Sequence, residues 1–385
     1  MKIAFFNYLL LEYGGGLAKY FIETATELQK LYPGLDISLV TLDERLGKKF
    51  QFLYSLYFLR KNSFYKEDTN RLKTQLGNVH YYNARSISEL RKILNSQDVV
   101  YSKNDLLEAF ILKCLIGYKY LRCVIYSFHT PIYYEQTPNI QSKVHNILYS
   151  SYVYRFLISG AQKFHVLNSF DEKLLKIKFP DKHIQKIYNP FNFEGFRQKA
   201  QLYRTAIKKK NRIHILWVGR LTKEKGADDL LKIINSINAT KYGENVQWNI
   251  AGAGEFKKQI VQLQEKWSNV SYLGYIPNDY IAYVYKKNDI FISTSKFESF
   301  PYSFLEALSF GLPIISYNIH GCNEIVVNNV NGFLVPDINK FIYQLTLVIR
   351  NNPFSRPFIK LHAQNKFKKK VLYEKLYRLL TNNEI

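Results

Sequence analysis

Short apolar, β-branched runs that close on glycine or polar residues, alternating with helical segments, constrain this chain more than any other feature. Residues 2–6 read as a strand, Gly14-Gly15-Gly16 as a loop, and residues 17–31 as a helix with apolar positions at helical spacing. Residues 36–42 form the next strand, and 98–101, 123–128 and 163–167 supply later ones. Strand, glycine loop, helix, strand is the order of a doubly wound α/β unit, which binds ligands at the carboxyl ends of its strands. The seam falls within 184–212, where a strand ends at Ile187-Tyr188-Asn189-Pro190 and a basic polar stretch runs through Lys208-Lys209-Lys210. Then the pattern starts again. Strand 213–218 leads to Gly219-Arg220 and a helix over 228–237, and strand 246–251 leads to Gly252-Ala253-Gly254. Strand 270–273 leads to Gly274, 290–293 to a glutamate-rich turn, and 314–317 to Gly321. The expectation is an α/β protein of two doubly wound Rossmann-like domains, 1–190 and 191–364. A basic amphipathic helix over 367–380 lies within the tail 365–385.

A length of 385 residues suits two domains, each with its own core. Cys114, Cys123 and Cys322 have unrelated spacings, which gives no disulfide framework or metal pattern and fits a reducing compartment. The apolar run at the N-terminus is broken by Asn7 and ended by Glu12 with no small-residue cleavage site, so it reads as a first strand rather than a signal peptide. The apolar stretch 147–158 contains Arg155 and is too short to span a bilayer. The expected location is the cytoplasm, with peripheral contact at the inner face of the membrane.

The net charge of +23 is spread along the chain. Residues 1–190 carry 26 basic and 16 acidic side chains, a net +10; residues 191–385 carry 28 and 15, a net +13. With 31 Tyr and 27 Phe, three sources remain open: compositional drift of an AT-rich genome, an anionic membrane surface, or nucleic acid. Nucleic acid is the least favoured. The basic, aromatic stretch 48–73 is the candidate for membrane docking.

The chemistry concentrates around Glu298 and Glu306, which bracket Ser299-Phe300-Pro301-Tyr302-Ser303-Phe304-Leu305. A buried strand precedes them and a helix stopped by Gly311 and Pro313 follows, with Pro301 placed for the first helical turn. One carboxylate then sits on the strand-to-helix loop and the other about two turns inside the helix. Between them lies a helix N-terminus, whose free N–H groups suit phosphate. A ligand with hydroxyls at both ends and phosphate between them, such as a nucleotide-sugar, has that layout.

Two glutamates eight apart carry little information alone, but the order strand, E-S-F-P-Y-S, helix, G-L-P, strand resembles the E-x7-E motif of the group 1 glycosyltransferases (family 4, retaining, GT-B fold). The resemblance is strongest over 213–336, extends to 1–30, 123–131 and 163–190, and is weak over 43–95. It implies two domains facing across a cleft, with the tail helix within 365–385 packing back on the first. Gly219-Arg220 through Lys225-Gly226 resembles the family's diphosphate-gripping G-R-x(4)-K-G segment, which assigns Arg220 and Lys225 to the leaving group. The resemblance further implies that Glu298 orients the donor sugar and Glu306 the ribose. Ser299, Phe300, Pro301, Tyr302, Ser303 and Leu305 would line the donor, with backbone N–H groups of Phe300, Tyr302 and Ser303 on sugar and phosphate. Ile276, after Gly274-Tyr275, would lie near the base. Gly15 and Gly16 resemble the glycine loop of the first domain, and Gly252 joins the donor-binding glycines. His129, in Ser127-Phe128-His129-Thr130-Pro131, matches the histidine that faces the donor sugar, as a hydrogen-bonding group rather than a base. His165 and His320 read as structural.

No D-x-D triplet occurs, and Asp228-Asp229 starts a helix, where carboxylates are ordinary. No metal or other cofactor is expected. The reading is a retaining, metal-independent glycosyltransferase that uses a UDP-sugar in preference to a GDP-sugar. Its acceptor would be a glycan or lipid-linked sugar in surface polysaccharide or lipopolysaccharide synthesis. A nucleotide-sugar epimerase of the same fold and a non-catalytic basic binding protein remain as alternatives.

Overall fold

The computed structural model describes residues 1–8, 16–50, 76–117, 123–134, 140–201 and 212–381. Gly14, Gly15 and most of the basic stretch 48–73 lie outside the described residues. The chain divides into two compact units: residues 1–190 with 370–385, and residues 191–369.

Unit 1 holds a seven-stranded parallel sheet: β1 (Lys2–Phe6), β2 (Asp36–Leu42), β3 (His80–Ala84), β4 (Val99–Lys103), β5 (Val124–Phe128), β6 (Lys163–Val166) and β7 (His183–Lys186). Their spatial order is β3-β2-β1-β4-β5-β6-β7. Helices cover both faces, so the central strands are buried throughout and read as unbroken apolar runs. Chain order reverses between β1 and β4, which pair directly (Phe5 beside Tyr101). Gly16 opens the helix Gly16–Leu31 that follows β1.

Unit 2 repeats the plan with six parallel strands: β8 (Ile213–Val218), β9 (Val246–Ala251), β10 (Val270–Gly274), β11 (Ile290–Ser293), β12 (Ile314–Tyr317) and β13 (Gly332–Val335). The order β10-β9-β8-β11-β12-β13 puts the reversal between β8 and β11. That crevice, outside the carboxyl ends of strands that diverge in chain order, is where such sheets take ligands.

Three features depart from the sequence reading. Strands β3 and β13 were not anticipated. Both are sheet edges, and β3, with the exposed or half-exposed His80-Tyr81-Tyr82-Asn83, lacks a continuous apolar run. The tail helix begins at Lys369, not at residue 367, because Phe367 is buried against the Phe300 ring (centroids 5.7 Å apart) and interrupts the helices Arg356–Lys366 and Lys369–Thr381. The latter helix packs on unit 1: Tyr377 stacks on Tyr32 at 3.9 Å, and Lys163 Nζ donates to the Leu379 carbonyl at 3.1 Å. Among the described residues no helix is long and apolar enough to cross a membrane.

Candidate active site

The unit 2 site grows from the ends of β8 and β11. After Val218 the chain turns through residues 219–226 and enters the helix Ala227–Asn238, with Gly226 as its N-cap at φ +66°. A side chain there would collide with the Thr294 carbonyl, 1.9 Å from where its Cβ would stand. Gly252, at φ +146°, meets the Gly219 carbonyl as closely, at 1.8 Å. Glycine at these two positions brings the loops after β8, β9 and β11 into backbone contact.

Side chains then stitch the loops together. Trp217 Nε1 donates to Thr294 Oγ1 (3.0 Å), whose hydroxyl donates to the Lys225 carbonyl (2.9 Å). The Lys296 N–H donates to the Glu224 carbonyl at 2.9 Å. Lys225 Nζ lies 2.5 Å from Glu298 Oε1, which also accepts from Ser295 Oγ at 2.8 Å. Both partners of this ion pair are mostly enclosed, at 22% and 16% side-chain exposure, so it is far less screened than a surface pair. Arg220 is exposed, and its guanidinium has no hydrogen bond or ion pair among the described residues.

A second ionic cluster underlies the first. Asp229 pairs with Lys296 and accepts from Tyr317 Oη at 2.8 Å, while the Lys296 ammonium sits 4.7 Å over the Tyr317 ring. Burial pushes the Asp229 pKa up, but the hydrogen bonds from Lys296 and Tyr317 and the nearby lysine charges outweigh it, and the net shift is downward. Cys322 is buried beside the ion pair; burial, then the Glu298 charge, holds its thiol well above the usual range.

Glu306 has different surroundings. The helix Tyr302–Ser309 starts after Pro301, which is its extended N-cap, so Glu306 lies about one turn inside rather than two. The carboxylate is buried near Tyr285, whose hydroxyl pKa is raised by burial first and then by the Glu306 charge. Leu305 is fully buried and Phe300 is packed on Phe367, so both side chains belong to the core. Ser299 and Pro301 are buried, whereas Tyr302, Ser303 and Ile276 are partly exposed. Tyr272 Oη donates to the Gly252 carbonyl at 2.9 Å, tying the β10 end, before Ile276, to the glycine loop.

In unit 1, His129 follows β5 directly. Its ring packs on Tyr20 (4.3 Å between centroids), and its buried Nε2 has no hydrogen-bond partner among the described residues. Burial, then neighbouring His165 and Lys103, holds its pKa well below the usual histidine value, so the ring is neutral. His165 anchors a directed chain beneath it. Its Nε2 donates to the Ile187 carbonyl at 2.7 Å, leaving Nδ1 to accept from Tyr101 Oη at 2.5 Å; Tyr101 in turn accepts from Tyr20 Oη at 3.0 Å.

The structure therefore joins Lys225 to Glu298 and Gly219 to Gly252, leaves Arg220 exposed, and buries Glu306 beside Tyr285. Sequence reading missed Trp217, Thr294, Asp229, Lys296 and Tyr317. Asp229 carried a signal, one of two carboxylates at a helix start, but its partner lies 67 residues away. Among the described residues no group of three His, Cys, Asp or Glu is placed to hold a metal ion.

Residues 200–364 match the family model for glycosyl transferases group 1. Over those residues the chain is similar to the group 1 glycosyltransferases. This chain is 26% identical to an uncharacterised 41.2 kDa protein in the cps region of Klebsiella pneumoniae, over 68% of this chain and 73% of that one. Other curated relatives are matched over about half of their own length, 54% and 47%. Among solved structures, Anabaena HepE in complex with UDP superposes with a TM-score of 0.71 at 16% identity, over 99% of this chain and 100% of that chain. The lipopolysaccharide outer core galactosyltransferase WaaB, in its apo form, gives 0.67 at 18% identity, over 99% of both. At such identities the likeness establishes the fold: the chain has the two parallel α/β domains of the GT-B class.

Proposed function

We propose that this chain is a glycosyltransferase that moves a sugar, with retention and without metal, from a UDP-sugar to a glycan or lipid-linked acceptor in surface polysaccharide or lipopolysaccharide synthesis. The observation that carries the reading is the enclosed Lys225–Glu298 pair at the β8/β11 reversal, with the open Arg220 guanidinium on the same loop as Lys225.

The chemistry follows from where charge develops. As the sugar–phosphate bond breaks, the departing nucleoside diphosphate gains negative charge, and fixed cations stabilise that state more than the bound donor. Arg220 offers a planar fork to phosphate oxygens and Lys225 a point charge. Glu298, held at one oxygen by Lys225 and Ser295, keeps lone pairs for donor-sugar hydroxyls. Glu306 accepts from the two ribose hydroxyls, and the first-turn N–H groups of Tyr302 and Ser303 meet phosphate. Leu305 and Phe300 contribute backbone only. Neutral His129 hydrogen-bonds a sugar hydroxyl through Nε2. In the retaining scheme the acceptor attacks on the leaving-group face and the departing phosphate oxygen takes its proton. UDP as the nucleotide is supported by the UDP held in the Anabaena HepE structure, and the polysaccharide or lipopolysaccharide setting by the cps-region relative and the likeness to WaaB.

Calorimetry against UDP-, GDP- and other nucleotide-sugars tests the donor, and NMR of the product anomer tests retention. A UDP-sugar binding at least ~10-fold more tightly than its GDP counterpart, about 1.4 kcal/mol, supports the reading. Inverted product, or activity abolished by EDTA and restored by Mg²⁺, would overturn it in those respects. Acceptor-free conversion of the donor to its epimer would replace it altogether.

A further inference from the structure

The transfer site makes no use of the apolar stretch 147–158. In the structure it bends at Ser151, whose Oγ accepts from the Tyr154 N–H at 3.2 Å and caps the helix Tyr152–Ile158. Of its nine large apolar residues five serve the unit 1 core: Tyr149, Tyr154, Leu157 and Ile158 are buried and Leu148 packs against them. The others face solvent, with Ile147 at 70%, Tyr152 at 85%, Val153 at 65% and Phe156 at 61% exposure. Tyr152, Val153 and Phe156 stand at i, i+1 and i+4, one helical stripe. In the preceding helix, Ile140–Ser150, exposed Ile140 and Ile147 are seven apart and share its outer face. Arg155 donates to the Lys178 carbonyl at 3.3 Å, which ties the end of the helix Ser169–Lys178, with exposed Ile177, to the helix Tyr152–Ile158.

Scattered exposed apolar residues need no explanation, whereas a run of them on adjoining helices marks an interaction surface. This one is rimmed by cations. Lys143, Arg155, Lys173 and Lys176 are exposed, and the Lys113 ammonium lies 3.6 Å over the Phe156 ring. Residues 140–182 hold seven Lys and Arg against three Asp and Glu. Of those three, Asp171 is buried, while Glu172 and Asp181 are paired with Lys176 (2.9 Å) and Lys182 (3.0 Å). Interfaces between proteins are depleted in lysine at their centre. Large apolar and aromatic side chains edged by lysine and arginine instead match an anionic bilayer: the apolar groups enter the headgroup–acyl boundary and the cations stay with the phosphates.

We propose that the outer face of the helices Ile140–Ser150 and Tyr152–Ile158, with Ile177, docks unit 1 on an anionic phospholipid bilayer. This deepens the proposed function and rests on it only for the lipid-linked acceptor; docking itself needs no donor.

The test is flotation of the full chain with vesicles of phosphatidylcholine alone and of phosphatidylcholine with phosphatidylglycerol, at low and high salt. The expected result is binding to the anionic vesicles only, weakened by salt. The triple variant Ile147→Ser, Tyr152→Ser, Val153→Ser should lower vesicle partitioning at least ~10-fold, since it removes three of the six exposed apolar side chains of the face. Its melting temperature and its thermal shift with UDP-sugar should match wild type. Lys143→Ala with Lys173→Ala should cost about tenfold or more at low salt and little at high salt. Absence of binding to anionic vesicles, or equal binding by the triple variant, overturns the proposal. So does a wild type that self-associates in ultracentrifugation without floating while the triple variant is monomeric, which gives the face to a second copy. Flotation without nucleotide-sugar binding would sink the transfer reading alone, and the reverse would sink only the docking surface.

Discussion

The two sheets share a plan and differ in how they treat charge at their reversal points. In unit 2 the β8/β11 reversal gathers ionised side chains: Lys225 with Glu298, Lys296 with Asp229, and Arg220 left open. In unit 1 the β1/β4 reversal gathers polar groups that burial keeps neutral. Glu108 is fully buried there, accepts from the Tyr8 N–H (3.1 Å) and Ser102 Oγ (2.8 Å), and is pushed up to about 8 by burial, with Lys103 only partly offsetting. His129 and His165 are held neutral by the same cause. The lesson is that one fold element yields a site for an anionic ligand where cations are partnered yet accessible, and a hydrogen-bonding platform where desolvation suppresses charge.

Removing the cations attacks the contrast most directly. Arg220→Ala with Lys225→Ala should cost at least ~3 kcal/mol of transition-state stabilisation, roughly a hundredfold or more in kcat/KM. An unchanged kcat/KM would remove the diphosphate assignment. Next in size is the neutral carboxyl of unit 1. The folded pKa of Glu108 is raised above its unfolded value of 4.5, so its contribution is fully present below 4.5 and is lost as pH rises toward 8. The Glu108 contribution should fall by about 2 kcal/mol between pH 5.5 and 7, at ~1.4 kcal/mol per pH unit, while neutral His129 and His165 contribute with the opposite sign, so Glu108→Gln should gain stability relative to wild type by about that amount over the interval. Urea midpoints at the two pH values measure it; an identical slope in the variant would mean that the carboxyl ionises without penalty.

A smaller effect separates the two glutamates. Glu298→Gln should lower kcat about tenfold more than it weakens nucleotide affinity, and Glu306→Ala should do the reverse, as titration with UDP beside steady-state kinetics will show. Equal effects on both parameters in both variants would merge their roles. The smallest concerns His129. Because its pKa is depressed well below 6.5, kcat should show no histidine limb between about pH 6 and 8. A limb there that vanishes in His129→Gln would make it a titrating participant and weaken the contrast between the units.

Most of the fold was legible because buried parallel strands must be continuous apolar runs and their loops need glycine or polar residues. Strands β1, β2, β5, β8, β9, β11 and β12 follow from that rule, while the edge β3 is half-exposed and carries no such run, and the edge β13 offers only the short Phe333-Leu334-Val335, with Phe333 and Leu334 half-exposed. Glu298, Glu306, Arg220 and Lys225 were singled out by the family resemblance, since two glutamates eight apart and a basic loop carry little information alone. Their partnerships were not. Lys225 and Glu298 are 73 residues apart, and the 2.5 Å contact exists because β8 and β11 are neighbours in the sheet.

By itself the sequence determined the two α/β repeats and the apolar stretch 147–158, because local periodicity and composition are sufficient for each. Only the tertiary structure decided that Leu305 and Phe300 belong to the core, that Asp229 and Lys296 brace the glutamate loop, and that part of the 147–158 stretch faces outward. Burial and pairing depend on which elements adjoin, and adjacency is fixed by the strand order of the folded sheet.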